Sequence, residues 1–190
     1  METKNPLIEA KTTILAITGP SGSGKSTLQQ YLVENFGFRH PYNFTTRPPR
    51  TNAELDDYVF ITKPQFYKKL ENGDFADFTI YHGNYYGMSK CFKPLEKTAI
   101  VVTPHGREIF REFCAKRGIE FKEVFLTVDE KTMDYRLGIK RRESYQSIEF
   151  RKNDLKWMKP TNESLVLDGR EDTAILAEKI ADWLEENVTG

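Results

Sequence analysis

The sequence predicts an α/β fold in which a parallel central sheet lies between layers of helices. Short apolar runs rich in β-branched residues recur along the chain, which is typical of buried parallel strands. Segments with helical spacing alternate with these runs, and a glycine-rich loop joins the first strand to the first helix. One region is instead rich in aromatic and turn residues, and it predicts an inserted lobe with antiparallel strands.

The predicted elements follow one another in a simple order. The first strand, Thr13–Thr18, precedes a helix that ends at Gly37. In the lobe we expect a strand at Tyr58–Ile61 and a helix at Pro64–Asn72. Further core strands are expected at residues 99–102, 124–128 and 165–167, with helices at 107–116, at 129–155 and after Asp172. Periodicity alone leaves open a break in the second of these helices at residues 141–145.

Composition favours a single small domain, residues 1–190, that acts on small molecules. Lys and Arg number 28, as do Asp and Glu, so the chain carries no net charge. This balance gives no broad attraction to nucleic acid or to an anionic membrane, and we expect a monomer or a homodimer. The first ten residues lack the apolar core of a signal peptide, and no later run is long enough to span a membrane. We therefore expect a cytoplasmic location.

The cysteines and histidines do not form a metal-binding pattern. Cys91 and Cys114 lack C-x-x-C spacing, and His40, His82 and His105 are scattered. We expect the two thiols to be reduced and structural.

A glycine-rich loop provides the strongest functional motif in the chain. Residues 19–27 read GPSGSGKST and match G-x-x-x-x-G-K-[ST] between a predicted strand and a predicted helix. Such a loop points backbone N–H groups at phosphate oxygens, and the helix N-terminus adds a positive dipole end. Lys25 is expected at the β- and γ-phosphates, Ser26 on Mg²⁺ and Thr27 at the α-phosphate. The predicted ATP phosphate-binding residues are Gly19, Ser21, Gly22, Ser23, Gly24, Lys25, Ser26 and Thr27. The chain thus predicts a P-loop NTPase-type three-layer core.

Three later motifs predict a second phosphate site. TTRPPR at residues 45–50 places Arg47 and Arg50 on a backbone stiffened by two prolines, so two guanidinium groups can face one anion. DYVF at 57–60 and GNYYG at 83–87 add the hydroxyls of Tyr58 and Tyr86.

In this order and at this spacing, the P-loop, TTRPPR, DYVF and GNYYG motifs resemble guanylate kinase over almost the whole chain. The resemblance implies an ATP-dependent nucleoside monophosphate kinase, in which Arg47, Arg50, Tyr58 and Tyr86 hold the acceptor phosphate. It also implies three parts, which are a core, an inserted lobe for the monophosphate and a helical lid. The corresponding ranges are 11–39, 98–134 and 153–190 for the core, 40–97 for the lobe and 135–152 for the lid.

The resemblance also assigns roles to basic residues of the predicted lid. Arg136 and Arg151 match lid arginines that neutralise the transferring phosphoryl group. Lys140 stands where the family has a third arginine, and it lacks the planar fork, which Arg141 or Arg142 can supply. The catalytic residues expected from the loop and the resemblance are Lys25, Arg47, Arg136 and Arg151.

The positions that read guanine in the family differ in this sequence. Asn43 replaces a serine that faces O6, and Asp77 replaces a glutamate that accepts from N1–H and the 2-amino group. Met88 stands in place of a serine or threonine and donates no hydrogen bond. Val101 and Thr103 stand where the family has two aspartates. The expected contacts with the acceptor base are Asn43, Asp77, Met88 and Thr103.

Several functions remain open at this point. Asn43 and Asp77 can still bind guanine, which favours GMP or dGMP as the acceptor. Met88 would instead shrink the pocket toward a pyrimidine or a modified base, and a sugar-phosphate kinase would need no base reader at all. A non-catalytic module that binds phosphopeptides is a further alternative, but the intact Lys25 and Ser26 argue against it. In any of the kinases, the acceptor phosphate is largely dianionic at pH 7 and can attack the γ-phosphoryl group of ATP without a general base.

Overall fold

The computed structural model describes residues 12–49, 58–81, 83–90, 96–140 and 142–186, with nine strands, six α-helices and one π-helical stretch among them. The strands are β1 (Thr13–Thr18), β2 (Phe38–Arg39), β3 (Asn43–Thr45), β4 (Tyr58–Phe60), β5 (Phe75–Tyr81), β6 (Asn84–Ser89), β7 (Lys97–Val101), β8 (Glu120–Thr127) and β9 (Leu165–Asp168). The α-helices are α1 (Lys25–Asn35), α2 (Lys63–Glu71), α3 (Pro104–Ala115), α4 (Glu130–Asp134), α5 (Tyr145–Trp157) and α6 (Thr173–Glu186), and the π-helix is Tyr135–Lys140.

The central sheet has the strand order β2–β7–β1–β8–β9, and all of its pairs are parallel. Every residue of β1 is buried, and successive side chains point to opposite faces of the sheet. Leu15 and Ile17 pack with residues of α1 and α6, whereas Ile14 and Ala16 pack with residues of α3. Helices therefore cover both faces, which confirms the predicted α/β fold around a parallel sheet.

A second sheet, with the order β4–β3–β6–β5, forms the inserted lobe. β6 pairs antiparallel with both β3 and β5, as predicted. β3 and β4 pair in parallel, which was not predicted. A parallel pair requires the chain to cross back between its two strands, and short alternating runs carry no signal for that crossing. Helix α2 packs on the lobe through Phe66 and begins with a capping box between Thr62 and Gln65.

The chain between β8 and β9 is mainly helical. α4 continues directly into the π-helix, and α5 begins after non-helical residues 142–144. This break lies within residues 141–145, where periodicity did not decide between a continuous and a broken helix. Met133, Leu137 and Ile148 form a small buried core that joins these helices. Lys152 forms ion pairs with Glu130 and with Asp134, which hold α5 against α4. Residues 130–157 are called the arginine segment below.

Two helices, α1 and α3, end just before the glycines that were predicted to terminate them. Gly37 and Gly118 both have positive φ angles, 70° and 63°, and follow α1 and α3. α3 begins three residues earlier than the periodicity predicted, because the Thr103 side chain caps it and Pro104 occupies its first turn.

Cys114 is a buried free thiol, as a structural cysteine would be. Burial raises the pKa of Cys114 to about 12, so this thiol is protonated at neutral pH and unreactive. Cys91 lies outside the described residues. A helix able to cross a membrane is not found in the part of the chain that the structure describes.

Gly87 in β6 lets an aromatic ring lie directly against the backbone. A Cβ atom at this position would lie 2.8 Å from Cδ1 and Cε1 of Phe75. The Phe75 ring is also 4.6 Å from the Phe66 ring and 5.8 Å from the Phe44 ring, centroid to centroid, so it has little room to retreat.

We therefore expect Gly87→Ala to lower the free energy of unfolding by about 1 to 3 kcal/mol, through overpacking of the lobe. Urea denaturation monitored by circular dichroism measures the change. Gly138→Ala is the matched control, because its added methyl group would meet Ile148 Cδ1 at an ordinary contact distance of 3.4 Å. Equal stability of Gly87→Ala and the wild type would show that the lobe accommodates the methyl group.

Candidate active site

The glycine-rich loop connects the end of β1 to the start of α1. Gly19 has a φ of 129°, and a Cβ atom there would lie 2.3 Å from the carbonyl oxygen of Leu126. Gly24, with a φ of 104°, is the left-handed residue that begins α1. Other residues are strained at both angles, so the glycines permit the loop to curl against β8 and lead into the helix.

Lys25 folds back over this loop. Its Nζ atom donates hydrogen bonds of 2.7 Å to the carbonyl oxygens of Gly19 and Pro20. Ser26 and Thr27 follow on the exposed side of the first turn of α1, with their hydroxyl groups accessible. The loop therefore presents an ammonium group and two hydroxyls beside the positive end of a helix, as a phosphate site requires.

Both arginines that were predicted to belong to the lid reach the loop. Arg136 donates to the carbonyl oxygens of Gly22 at 2.9 Å and of Gly169 at 2.8 Å. Arg151 donates to Ser21 Oγ at 3.2 Å, and its Nε donates to the Glu143 carboxylate at 2.7 Å. The arginine segment packs directly on the loop, since a Cβ atom on Gly22 would lie 3.5 Å from Leu137 Cγ. This packing brings the arginines of the segment within reach of the loop.

A cavity of about 250 Å³, the loop cavity, opens beside the loop and Arg136. Ser23 lines it, and the Ser23 hydroxyl is buried without a hydrogen bond to any described residue. Another part of its wall is formed by Glu171, between β9 and α6, and by Thr173, the first residue of α6. Sequence reasoning missed this wall, because these residues lie far along the chain from the loop and carry no motif. The cavity is placed to hold the rest of a nucleotide whose phosphates lie in the loop.

A larger cavity of about 460 Å³, the lobe cavity, lies between the second sheet and the first turn of α3. Asn43, Met88 and Asp77 line it from three neighbouring strands. Met88 is the direct cross-strand partner of both other residues, so the three side chains form one row on one face of the sheet. Tyr58 extends this row on β4 as the partner of Asn43.

A second row on the same face lies two residues further along each strand. Here Tyr86 pairs with Thr45 on β3 and with Thr79 on β5, and both Tyr86 and Thr79 line the cavity. Sequence reasoning missed Thr79. The period of two along a strand would have placed it on the face of Asp77.

Arg47 lies next to Tyr58 and Tyr86, two tyrosines that line the cavity. The Arg47 guanidinium carbon is 6.0 Å from the centre of the Tyr58 ring, and the Tyr58 and Tyr86 rings meet edge-on with centroids 6.3 Å apart. The Arg47 backbone N–H donates to Thr45 Oγ1 at 3.1 Å, which steadies the turn. Arg50, the fourth residue predicted for this site, lies outside the described residues.

The first turn of α3 forms the opposite wall of the lobe cavity. Thr103 lines the cavity, but its hydroxyl also accepts the Gly106 N–H at 3.1 Å and caps the helix. Asp77 Oδ2 lies close to this turn, 3.2 Å from where a Cβ atom on Gly106 would stand. A carboxylate is stabilised near a helix N-terminus. His105 lines the cavity from the same turn, and sequence reasoning missed it because only its spacing to other metal ligands was tested.

Both cavities lie at the carboxyl edge of the central sheet. Ile17 of β1 pairs with Val101 of β7, and the Val102 N–H donates to the Ile17 carbonyl at 3.3 Å. The glycine-rich loop begins where β1 ends, and the wall of the lobe cavity begins where β7 ends. Ligand sites of open parallel sheets lie at this carboxyl edge.

The residues present fit a Mg²⁺ ion that arrives with a nucleotide. No three His, Cys, Asp or Glu side chains cluster among the described residues, so the protein itself offers few ligands. Ser26 supplies one accessible oxygen next to the loop, and Mg²⁺ commonly takes its other ligands from phosphates and water. The Asp129 carboxylate is not directed at the metal position, because it accepts hydrogen bonds from the Thr132 N–H and from Arg170. These bonds lower the pKa of Asp129.

Comparisons with known proteins identify the family and the fold. A family model described as Guanylate kinase matches residues 10–94. A guanylate kinase of Fusobacterium nucleatum subsp. nucleatum is 32% identical over 154 residues, which cover 75% of this chain and 80% of that protein. One from Helicobacter hepaticus is 34% identical over 152 residues, with coverages of 75% and 74%. The crystal structure of guanylate kinase from Anaplasma phagocytophilum shares the fold, with a TM-score of 0.69 at 19% identity over 96% of this chain and 89% of that chain.

Proposed function

Because the chain belongs to the guanylate kinase family, we propose that it transfers the γ-phosphoryl group of ATP to GMP or dGMP. One observation carries the choice of acceptor. The lobe cavity presents the amide of Asn43 and the carboxylate of Asp77 in a single row, on either side of Met88. This row offers a hydrogen-bond donor at one end and two acceptor oxygens at the other.

Guanine complements this arrangement better than the other bases. Its O6 accepts from the Asn43 amide, and its N1–H and 2-amino group donate to the two oxygens of Asp77. Uracil and thymine have one ring N–H between two carbonyls, so the second Asp77 oxygen would face an acceptor. In the same orientation, adenine and cytosine turn their amino group toward Asn43 and an unprotonated ring nitrogen toward Asp77. The Asp77 carboxylate then receives no hydrogen bond from the base. Met88 contributes an apolar contact with the base.

The acceptor phosphate is assigned to the cluster of Arg47, Tyr58 and Tyr86, with Arg50 as the fourth member. Tyr58 and Tyr86 line the lobe cavity, and the Arg47 guanidinium lies against the Tyr58 ring. The second pKa of a phosphate monoester is about 6, so the acceptor is largely dianionic at pH 7. The protein therefore needs to orient the attacking oxygen and reduce charge repulsion, and it needs no general base.

The donor phosphates are assigned to the glycine-rich loop. Lys25 would exchange its bonds to the Gly19 and Pro20 carbonyls for bonds to the phosphates. Arg136 and Arg151 already contact the loop, so their charges are in place before the nucleotide binds. The arginine segment then acts as the lid. Ser26 would hold Mg²⁺, which supplies charge neutralisation at the β- and γ-phosphate oxygens when bound.

Lys25→Ala and Arg47→Ala should separate the two phosphate sites. Lys25→Ala should lower kcat by about 10²- to 10³-fold, because it removes a charge that stabilises the transition state. Arg47→Ala should mainly raise the KM for the monophosphate and leave the KM for ATP near the wild-type value. A coupled assay of ADP formation measures both, and circular dichroism checks that the variants fold.

Lys116→Ala serves as the control, because this exposed lysine pairs with Glu112 on α3, at the end away from the lobe cavity. Its kinetics should match those of the wild type. Full activity of Lys25→Ala would contradict the proposed function.

A panel of acceptors tests the assignment of the base. We expect GMP and dGMP to dominate turnover over AMP, dAMP, CMP, dCMP, UMP, dUMP and dTMP. Asp77→Asn should lower kcat/KM for GMP by about 10- to 100-fold, because a substituted amide leaves one donor of guanine unpaired at a cost of about 1 to 3 kcal/mol. A preference for a pyrimidine nucleotide would contradict the guanine assignment, and failure to bind ATP would contradict a kinase altogether.

A further inference from the structure

Glu123 on β8 is a buried carboxylate with four partners, and it lies outside both cavities. The residue is 2% exposed. Its Oε1 accepts from Thr18 Oγ1 at 2.8 Å and from Arg107 Nη1 at 3.1 Å. Its Oε2 accepts from Thr161 Oγ1 at 3.1 Å and lies 3.6 Å from Arg111 Nη2. These five residues are the Glu123 network.

The partners belong to the three segments that carry the proposed machinery. Thr18 is the last residue of β1 and immediately precedes the glycine-rich loop. Arg107 lies on α3, whose first turn forms a wall of the lobe cavity. Thr161 lies between the arginine segment and β9, at the point where that segment returns to the core.

Burial and charge make this network resistant to displacement. Two guanidinium groups balance the carboxylate, and both of its oxygens are used by directional partners from opposite sides. Moving one segment would leave a buried charge incompletely bonded, which is costly in a low-dielectric interior. The Thr161 turn is itself closed by the Ser164 hydroxyl, which accepts the Thr161 N–H at 2.8 Å, so the anchor is a defined structure.

We propose that Glu123 is a positioning residue, which sets the glycine-rich loop, the wall of the lobe cavity and the end of the arginine segment in fixed relation to one another. This inference rests on the proposed function. Glu123 contacts no nucleotide in this account. It acts through Thr18, Arg107 and Thr161, so weakening the network should misalign bound substrates without removing a binding contact.

The test uses two single variants of nearly constant volume, Thr18→Val and Thr161→Val. Each removes one hydrogen bond to Glu123, together with the bond of the same hydroxyl to the Val124 carbonyl in the first case and to Ser164 Oγ in the second. Each should lower kcat by about tenfold and change the KM for ATP and for GMP by less than about twofold, since misplacement by a fraction of an ångström slows an oriented reaction. Thr18→Ser and Thr161→Ser keep the hydroxyl and should restore kcat.

Thr13→Val is the matched control. Thr13 Oγ1 donates to Glu120 Oε2 at 2.9 Å, so it joins the same two strands as Thr18 but at the opposite end of the sheet. This variant should lower the melting temperature by an amount similar to that of Thr18→Val, with kcat unchanged. If Thr18→Val and Thr161→Val also lose only thermal stability, the positioning role is overturned.

Hydrogen exchange gives a readout that does not depend on turnover. In Thr161→Val, the backbone amides of Gly19 and of residues 21–24 should exchange faster than in the wild type, although the substitution lies in a different segment. Unchanged exchange there would contradict the inference. Absence of wild-type turnover with every monophosphate would instead contradict the proposed function, and hydrogen exchange would still decide whether the network couples the segments.

Discussion

The parallel pairing of β1 with β7 on one side and β8 on the other determines where the glycine-rich loop, one wall of the lobe cavity and the arginine segment lie. Ile17 pairs with Val101, and Thr18 pairs with Phe125, so the three strands end at the same edge of the sheet. The glycine-rich loop, the wall of the lobe cavity and the arginine segment each follow one of these strand ends. The register of the backbone hydrogen bonds thus brings together groups that are far apart in the sequence. The loop also packs closely on β8, because Gly19 has no side chain and lies directly against the Leu126 carbonyl group.

Local charge, rather than overall charge, explains how an electrically neutral chain can bind polyphosphates. Lys25 and Arg136 bind backbone carbonyl oxygens, which carry only partial charges. A phosphate oxygen carries more negative charge than a carbonyl oxygen and can replace it as a partner, whereas Arg151 is held by the Glu143 carboxylate and keeps its orientation through it. Many of the remaining charges are paired with one another, as at Lys152 with Glu130 and Asp134. Lys25, Arg136 and Arg151 therefore bring three positive charges to the loop.

Sequence patterns predicted the parts of the fold that depend on local chemistry. β1 matches its predicted bounds, because an apolar run that ends at a glycine is read directly from neighbouring residues. The row formed by Asn43, Met88 and Asp77 was reached through resemblance to a family, since strand pairing alone brings these distant positions together. The parallel β3–β4 pair and the Glu123 network had no local signal. Glu123 and Thr18 are 105 residues apart, and a single glutamate in a strand gives no indication of its partners.

We assign the loop and the lobe cavity as two phosphate sites that open toward each other at one edge of the sheet. Isothermal titration calorimetry with adenosine and guanosine joined 5′ to 5′ by a pentaphosphate tests this claim most directly. If the sites face each other, the joined ligand should bind at least about 100-fold more tightly than ATP or GMP alone, because the second site is then filled at a high effective concentration. Binding no tighter than that of ATP alone would contradict the account.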